Sequence, residues 1–221
     1  MQSTPFEATT LVLDVGCGLG GAARFLATAF DVQVFGIDLT QEYIDTGNVL
    51  CQWLNLDKKV QLAHGSALSM PYDDASFAGG YMLHVGMNIE NKQALFHEVA
   101  RVLKPGARFA IYDVMRFNSD RLTYPVPWTS NSYDCHLATP ATYRDAINNA
   151  GFIIEAEHDR RDFAIAFFKG LREKNKLQGF PVLSLHTLMK ESAGEKLKNM
   201  VSNVMEGRIS PVEMIIKKPL Q

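Results

Sequence analysis

The string Asp14-Val15-Gly16-Cys17-Gly18-Leu19-Gly20-Gly21, set directly behind the apolar run Leu11-Val12-Leu13, restricts this chain more than any other feature. An apolar run that stops at glycines reads as a buried parallel strand entering a tight turn. Glycines there let the backbone turn sharply and let a ligand approach without meeting a Cβ. A helix that follows such a turn aims its free N–H groups at the same crevice. A plain strand-to-helix turn would need far fewer glycines.

Alternation continues from there. Residues 22–29 read as a helix with alanines and Phe25-Leu26 inward, 32–37 as a second strand ending at Asp38, and 40–54 as a helix capped by Thr40 with Glu42 in its first turn. Strands follow at 60–63 and at 77–83, the latter weakened by Gly79 and Gly80. Asn88 is placed to cap a helix whose face carries Leu95, Phe96, Val99, Val102 and Leu103, and Pro105-Gly106 ends it. A fifth strand spans 108–114. Residues 115–138 lack periodicity and read as a long ordered loop, a feature that is usually functional in a compact domain. Thr139-Pro140 opens a helix that closes at Gly151, 152–156 is a sixth strand, helical stretches lie near 162–172 and 184–205, and 209–217 is a last strand. The expected fold class is therefore α/β: a mostly parallel seven-stranded sheet with helices on both faces, in a single domain covering 1–221.

Composition excludes several alternatives. With 47% hydrophobic and 21% charged residues the chain is ordinary globular material rather than disordered. A formal net charge of −2 gives no basic surplus for nucleic acid. No apolar run approaches the roughly 18 residues of a membrane helix. The start, Met1-Gln2-Ser3-Thr4-Pro5 with Glu7 close behind, has neither a basic nor an apolar export region. Cys17, Cys51 and Cys135 are odd in number and without metal spacing, which reads as three reduced thiols in a cytoplasmic protein and predicts no metal.

Two carboxylates sharpen the reading. Gly16, Gly18 and Gly21 satisfy the dinucleotide pattern GxGxxG as well, so the glycines alone do not choose between cofactors. Asp14, two residues before the first of them, would repel a pyrophosphate but suits a cation; S-adenosylmethionine (SAM) carries an ammonium and a sulfonium and no phosphate. A structural Asp bonded to turn N–H groups is the alternative. Asp38 ends the second strand, eighteen residues after Gly20, where an acidic side chain reaches ribose hydroxyls or caps the next helix.

The chain resembles the class I SAM-dependent methyltransferases over nearly its whole length. The resemblance rests on Val12-Leu13-Asp14-Val15-Gly16-Cys17-Gly18-Leu19-Gly20-Gly21, Gly36-Ile37-Asp38-Leu39-Thr40, Leu68-Ser69-Met70-Pro71-Tyr72-Asp73-Asp74-Ala75-Ser76-Phe77 and Arg101-Val102-Leu103-Lys104-Pro105-Gly106. Within the class it is similar to small-molecule enzymes related to sarcosine/dimethylglycine, tocopherol and ubiquinone-biosynthesis methyltransferases. His84-Val85-Gly86-Met87-Asn88-Ile89 and Tyr124-Pro125-Val126-Pro127-Trp128 look like a bacterial subgroup of it.

The resemblance implies a Rossmann-like fold, SAM as cofactor and S-adenosylhomocysteine as product. Asp14, Gly16, Cys17, Gly18 and Gly20 would hold the methionine part. Asp38 would take the ribose, Leu39 would pack on the adenine, and Ser66 and Ala67 would sit at its edge. Residues 83–87, from Leu83 on, would line the cavity near the methyl group. Ser66 stands where the family usually has Asp, so a charge-assisted bond to the adenine amino group is lost. The family also implies a longer segment before the first strand than the thirteen residues that precede Asp14 here.

The expected partner is a small-molecule methyl acceptor, an amine, a phenol or quinone, or a carbon nucleophile, with oligomeric state open. His84, just past the fourth strand, is the candidate base, or else a packing histidine. Met87, Asn88, Tyr124 and Trp128 are candidate acceptor contacts, Asn88 also being a candidate cap; Trp128 would suit a cationic amine, and Tyr133 and Asn131 lie nearby. Segments 115–138 and 160–206 are candidate covers, the second with Leu185, Leu188 and Met189 inward. Two other readings remain: a SAM-binding protein without turnover, and a nicotinamide-dependent oxidoreductase, which would bind NADH and not SAM.

Overall fold

The computed structural model describes residues 10–133, 135–179, 181 and 185–220, and only the backbone of 185 and 186. The expectations for Met1 to Glu7, for Leu183 and for the Leu185 side chain lie outside it.

Among the described residues the chain forms seven strands and seven α-helices. They run β1 (Leu11–Val15), α1 (Gly21–Phe30), β2 (Gln33–Asp38), α2 (Gln41–Trp53), β3 (Val60–His64), β4 (Phe77–Leu83), α3 (Lys92–Val102) and β5 (Leu103–Arg116). After a long loop come α4 (Pro140–Asn149), β6 (Ile153–Asp159), α5 (Arg161–Gln178), α6 (Leu185–Met189), α7 (Ala193–Met205) and β7 (Ile209–Lys217). All seven expected strands are present. They form one sheet in the order β3-β2-β1-β4-β5-β7-β6. Strands β1 to β5 pair in parallel, and β7 is inserted antiparallel between β5 and β6. The chain reverses its winding at β1, where β2 and β4 flank it; ligands bind in the crevice above such a switch point.

Period-two alternation with both faces covered explains the continuous apolar runs. Val12, Val34, Leu62 and Tyr81 face one side and pack with Ala23, Ala27 and Ile44 of α1 and α2. Leu13, Ile37, Met82 and Phe109 face the other, against Phe96 and Val99 of α3 and Tyr143 and Ile147 of α4. A smaller cluster of Val114, Leu122, Ala164, Val204 and Ile209 lies under the second half of the chain.

Several local expectations need correction. Phe25 is 67% exposed, because Ala23 and Ala27 supply the face of α1 that meets the sheet. Asn91, not Asn88, caps α3, its side chain accepting from the Ala94 N–H at 2.9 Å; Asn88 instead ends a short 3-10 turn, Gly86–Asn88. Pairing of β5 starts at Leu103, before Pro105-Gly106, with a shift of register against β4 between Phe77 and Gly79. The stretch expected as one helix over 184–205 is broken by a 3-10 turn at Lys190–Ser192, and Leu188 faces outward, 50% exposed. Gly151 takes the left-handed conformation just past α4, as a helix end asks of glycine.

Candidate active site

The crevice is built from the carboxyl ends of β1, β2 and β4. In register, Asp14 lies between Gly36 on β2 and Tyr81 on β4. Its carboxylate is buried, 2% exposed, and accepts a hydrogen bond from the Tyr81 hydroxyl at 2.8 Å. It is thus not tied to the turn N–H groups. Burial lifts its pKa to about 7; the Tyr81 bond opposes that rise and the charge of Asp38 adds to it.

The loop above Asp14 needs its glycines. Gly16, Gly18 and Gly20 all have left-handed φ, 71°, 52° and 74°. A Cβ on Gly16 would stand 2.2 Å from Val85 Cγ2, so the turn also presses on the segment after β4. A Cβ on Gly18 would meet nothing within 4 Å: that glycine borders open space. The turn is anchored from below, the Gly16 and Cys17 N–H groups donating to the Ile37 carbonyl at 2.8 and 3.0 Å. The Cys17 thiol is buried, and desolvation pushes its pKa far up, which makes it a packing group rather than a nucleophile.

Asp38 holds both sides of the crevice. Its Oδ2 accepts from the Gly18 N–H and its Oδ1 from the Thr40 N–H, each at 2.9 Å. Thr40 begins α2 without a side-chain cap of its own, and Asp38 supplies an acceptor for the free Thr40 N–H. Leu39 stands next to it, 68% exposed. An apolar side chain left in the open beside a carboxylate offers a flat ligand one greasy face and one polar edge. Ser66 and Ala67 follow β3, the neighbouring strand, in a tight turn in which Ser66 Oγ accepts from the Leu68 N–H at 3.1 Å. Among the described residues neither Asp14 nor Asp38 is ion-paired; Arg24, a basic side chain at the loop, instead donates to the Leu19 carbonyl at 2.6 Å.

The end of β4 leads away from this crevice into a second space. His84 has φ 58°, a strained conformation for a non-glycine residue and one that gathers at functional sites. Its N–H donates to the Tyr112 carbonyl at 2.8 Å and its ring stands edge-on to Tyr112, centroids 5.2 Å apart. The imidazole lines a recess, takes no hydrogen-bond partner among the described residues, and is held below the usual histidine pKa by desolvation there. The recess is a cavity of about 1100 Å³. His84, Met87 and Tyr112 form its floor, Pro127 and Trp128 one wall, and α5 and α7 the others.

Of the expected acceptor contacts, His84, Met87 and Trp128 line this cavity. Asn88 is exposed and outside the lining; Tyr124 packs beneath it in the small apolar cluster; Tyr133 is 89% exposed. Segments 115–138 and 160–206 both contribute walls, through Trp128 and through α5 and α7.

A buried polar network supports the floor and was not anticipated. Asp113, wholly buried, accepts from the Tyr143 hydroxyl at 2.6 Å and from the Val114 N–H at 3.0 Å. Its pKa rises to about 6 through burial, against the opposing bonds from Tyr143, Val114 and Met87 and the charge of Lys92. Gly86 fits against this pair: a Cβ there would come within 2.3 Å of both Asp113 Oδ2 and the Tyr143 hydroxyl. Lys92, 5% exposed, donates to the carbonyls of Ile89 and His136, and so ties the turn after β4 to the long loop. A lysine in the first turn of an amphipathic helix gives no sign of this at sequence level.

The methyltransferase domain family matches residues 12–106, the stretch that contains the crevice. The sterol 24-C-methyltransferase of Eremothecium gossypii is 35% identical over 160 residues, 69% of this chain and 42% of that protein. The chain thus spans well under half of that relative's length. Among solved structures, a Galdieria sulphuraria protein assigned as a sarcosine dimethylglycine methyltransferase superimposes with a TM-score of 0.79 at 21% identity, over 96% of this chain and 79% of that one. The geranyl diphosphate C-methyltransferase of Streptomyces coelicolor A3(2) gives 0.75 at 18%, over 96% and 74%. At these identities the two structures speak for a shared fold. Among the described residues no helix is long and apolar enough to cross a membrane, and no cluster of three or more His, Cys, Asp or Glu side chains is placed to hold a metal ion.

Proposed function

We propose that the chain, whose residues 12–106 match the methyltransferase domain family, is a class I SAM-dependent methyltransferase that transfers the methyl group of SAM to a small molecule held in the cavity beside His84. One observation carries this reading over a nicotinamide enzyme: two carboxylates, Asp14 and Asp38, meet at one glycine loop and, among the described residues, neither is ion-paired, the Arg24 guanidinium at the loop being turned to the Leu19 carbonyl. Such a crevice attracts an ammonium and a sulfonium and repels a pyrophosphate.

The residues fit SAM chemically. Asp14 would hold the ammonium of the methionine part, Gly16, Gly18 and Gly20 giving the backbone room for it, with Cys17 packing under the loop. Asp38 would exchange a loop N–H for the ribose hydroxyls. Leu39 would cover the adenine, with Ser66 and Ala67 at its edge and Leu83 below the reacting end. When bound, SAM supplies a methyl group already activated by its sulfonium. The protein adds position: aligning two reactants contributes on the order of 7–11 kcal/mol. His84 would accept the acceptor's proton on an imidazole nitrogen as the new bond to carbon forms, its low pKa keeping it neutral and ready. Residues 115–138 and 160–206 would act as covers on one domain.

The test is turnover with an acceptor panel, read as S-adenosylhomocysteine formed. His84→Gln is expected to lower kcat with S-adenosylhomocysteine affinity unchanged; equal loss of both contradicts the assignment of His84.

A further inference from the structure

The walls of the second cavity are more specific than the family. Helix α5 has 18 residues, yet among the described residues Ala164 alone of them is buried. Its apolar side faces the cavity instead. Phe163 and Phe167 are each 54% exposed and stack on one another, centroids 6.4 Å apart, with Phe168 edge-on to Phe167 at 5.4 Å. Leu197, Met200 and Val204 of α7 face them across the gap. Aromatic and aliphatic side chains left uncovered around a concavity mark a site whose occupant supplies the missing apolar contacts.

The space is long as well as apolar. Ala164, near the start of α5, and Val204, near the end of α7, share the small cluster at its base. The lining reaches along α5 to Asn175 and along α7 back to Ala193 and Lys190. From Phe163 to Asn175 a helix rises about 18 Å, at about 1.5 Å per residue. His84 and Tyr112 lie in the floor at the sheet end, and Asn175 and Lys190 carry the polar atoms at the far end.

We propose that the methyl acceptor is an elongated, mainly hydrocarbon molecule with one nucleophilic group, lying between α5 and α7 with that group at His84. The inference rests on the methyltransferase reading for which end reacts, but not for what binds. A zwitterionic amine would set two charges among phenylalanine, leucine and methionine side chains at a heavy desolvation cost. A diphosphate would find Lys190 as the sole fixed cation among the described lining residues.

Gly194 supplies a clean perturbation. It lines the cavity near the start of α7, and a Cβ there meets nothing within 4 Å, so a large side chain enters the space without a backbone clash. The experiment follows the fluorescence of N-phenylnaphthylamine, a neutral apolar probe, with displacement by farnesol, octylphenol or sarcosine. Thermal stabilisation by S-adenosylhomocysteine is measured in parallel. The expected result is saturable probe binding, displaced by farnesol or octylphenol and not by sarcosine. Gly194→Phe is expected to weaken it by at least about tenfold, which is 1.4 kcal/mol, with the S-adenosylhomocysteine response intact. No saturable probe binding, or displacement by sarcosine alone, overturns the acceptor class. Gly194→Phe that keeps both responses unchanged overturns the location. Loss of the S-adenosylhomocysteine response in the unaltered protein, with probe binding retained, counts against the cofactor reading and not against this one.

Discussion

Tyr81 sits directly across the β1–β4 ladder from Asp14 and gives its hydroxyl to the nearly inaccessible Asp14 carboxylate at 2.8 Å. The crevice is thus held by a pair 67 residues apart in sequence. A buried acid with one neutral partner is a poor stabiliser and a good cation trap.

Asp14→Asn is therefore expected to stabilise the ligand-free protein at pH 8 while removing its response to S-adenosylhomocysteine. The sign follows from a pKa raised from 3.8 to about 7. The folded state binds the proton more tightly than the unfolded state, so stability declines as pH rises between those values and stays low above them. At about 1.4 kcal/mol per pH unit the gain is on the order of a few kcal/mol. Asp113, raised to about 6, contributes with the same sign and is left untouched by the variant. Urea unfolding at pH 8 checks it.

Affinity for SAM is expected to fall as pH drops through about 7, because a protonated Asp14 no longer attracts an ammonium. Tyr81→Phe removes the bond that lowers the Asp14 pKa and is expected to move that midpoint upward. Calorimetric titration across pH reads both.

Gly16→Ala and Gly18→Ala should fail differently. The Gly16 Cβ collides with Val85, so Gly16→Ala destabilises strongly and Val85→Ala restores part of the loss. Gly18→Ala meets no neighbour, so folding bears only the left-handed strain, about 1–2 kcal/mol, while cofactor affinity drops. Chemical unfolding and titration of Gly16→Ala, Gly18→Ala and the Gly16→Ala/Val85→Ala double variant separate the two effects.

Lys92→Met leaves the carbonyls of Ile89 and His136 without their buried donor, a loss of about 1–3 kcal/mol. It also removes the charge that lowers Asp113. A reduced Tm, with the pKa of Asp113 rising above about 6 by NMR titration, is the expected pair of results.

The crevice was legible in the sequence because its parts are local: a glycine string, a carboxylate two residues before it, and a second at the next strand end. Strand number was legible for the same reason, each strand being its own apolar run. Partners were not, since nothing near Tyr81 names Asp14 and nothing near Lys92 names His136. The capping of α3 was misread because Asn88 and Asn91 both precede an amphipathic face, and only the 3-10 turn at Gly86–Asn88 decides between them. The placement of β7 between β5 and β6, and the long cavity between α5 and α7, depend on how distant segments pack.

The most direct measurement is calorimetric titration of the protein and of Asp14→Asn with S-adenosylhomocysteine and with NADH at pH 8. The account predicts binding of S-adenosylhomocysteine, at least about 100-fold weaker in Asp14→Asn, a difference of roughly 2.7 kcal/mol, and no binding of NADH. Unchanged affinity in Asp14→Asn, or binding of NADH in place of S-adenosylhomocysteine, would contradict it.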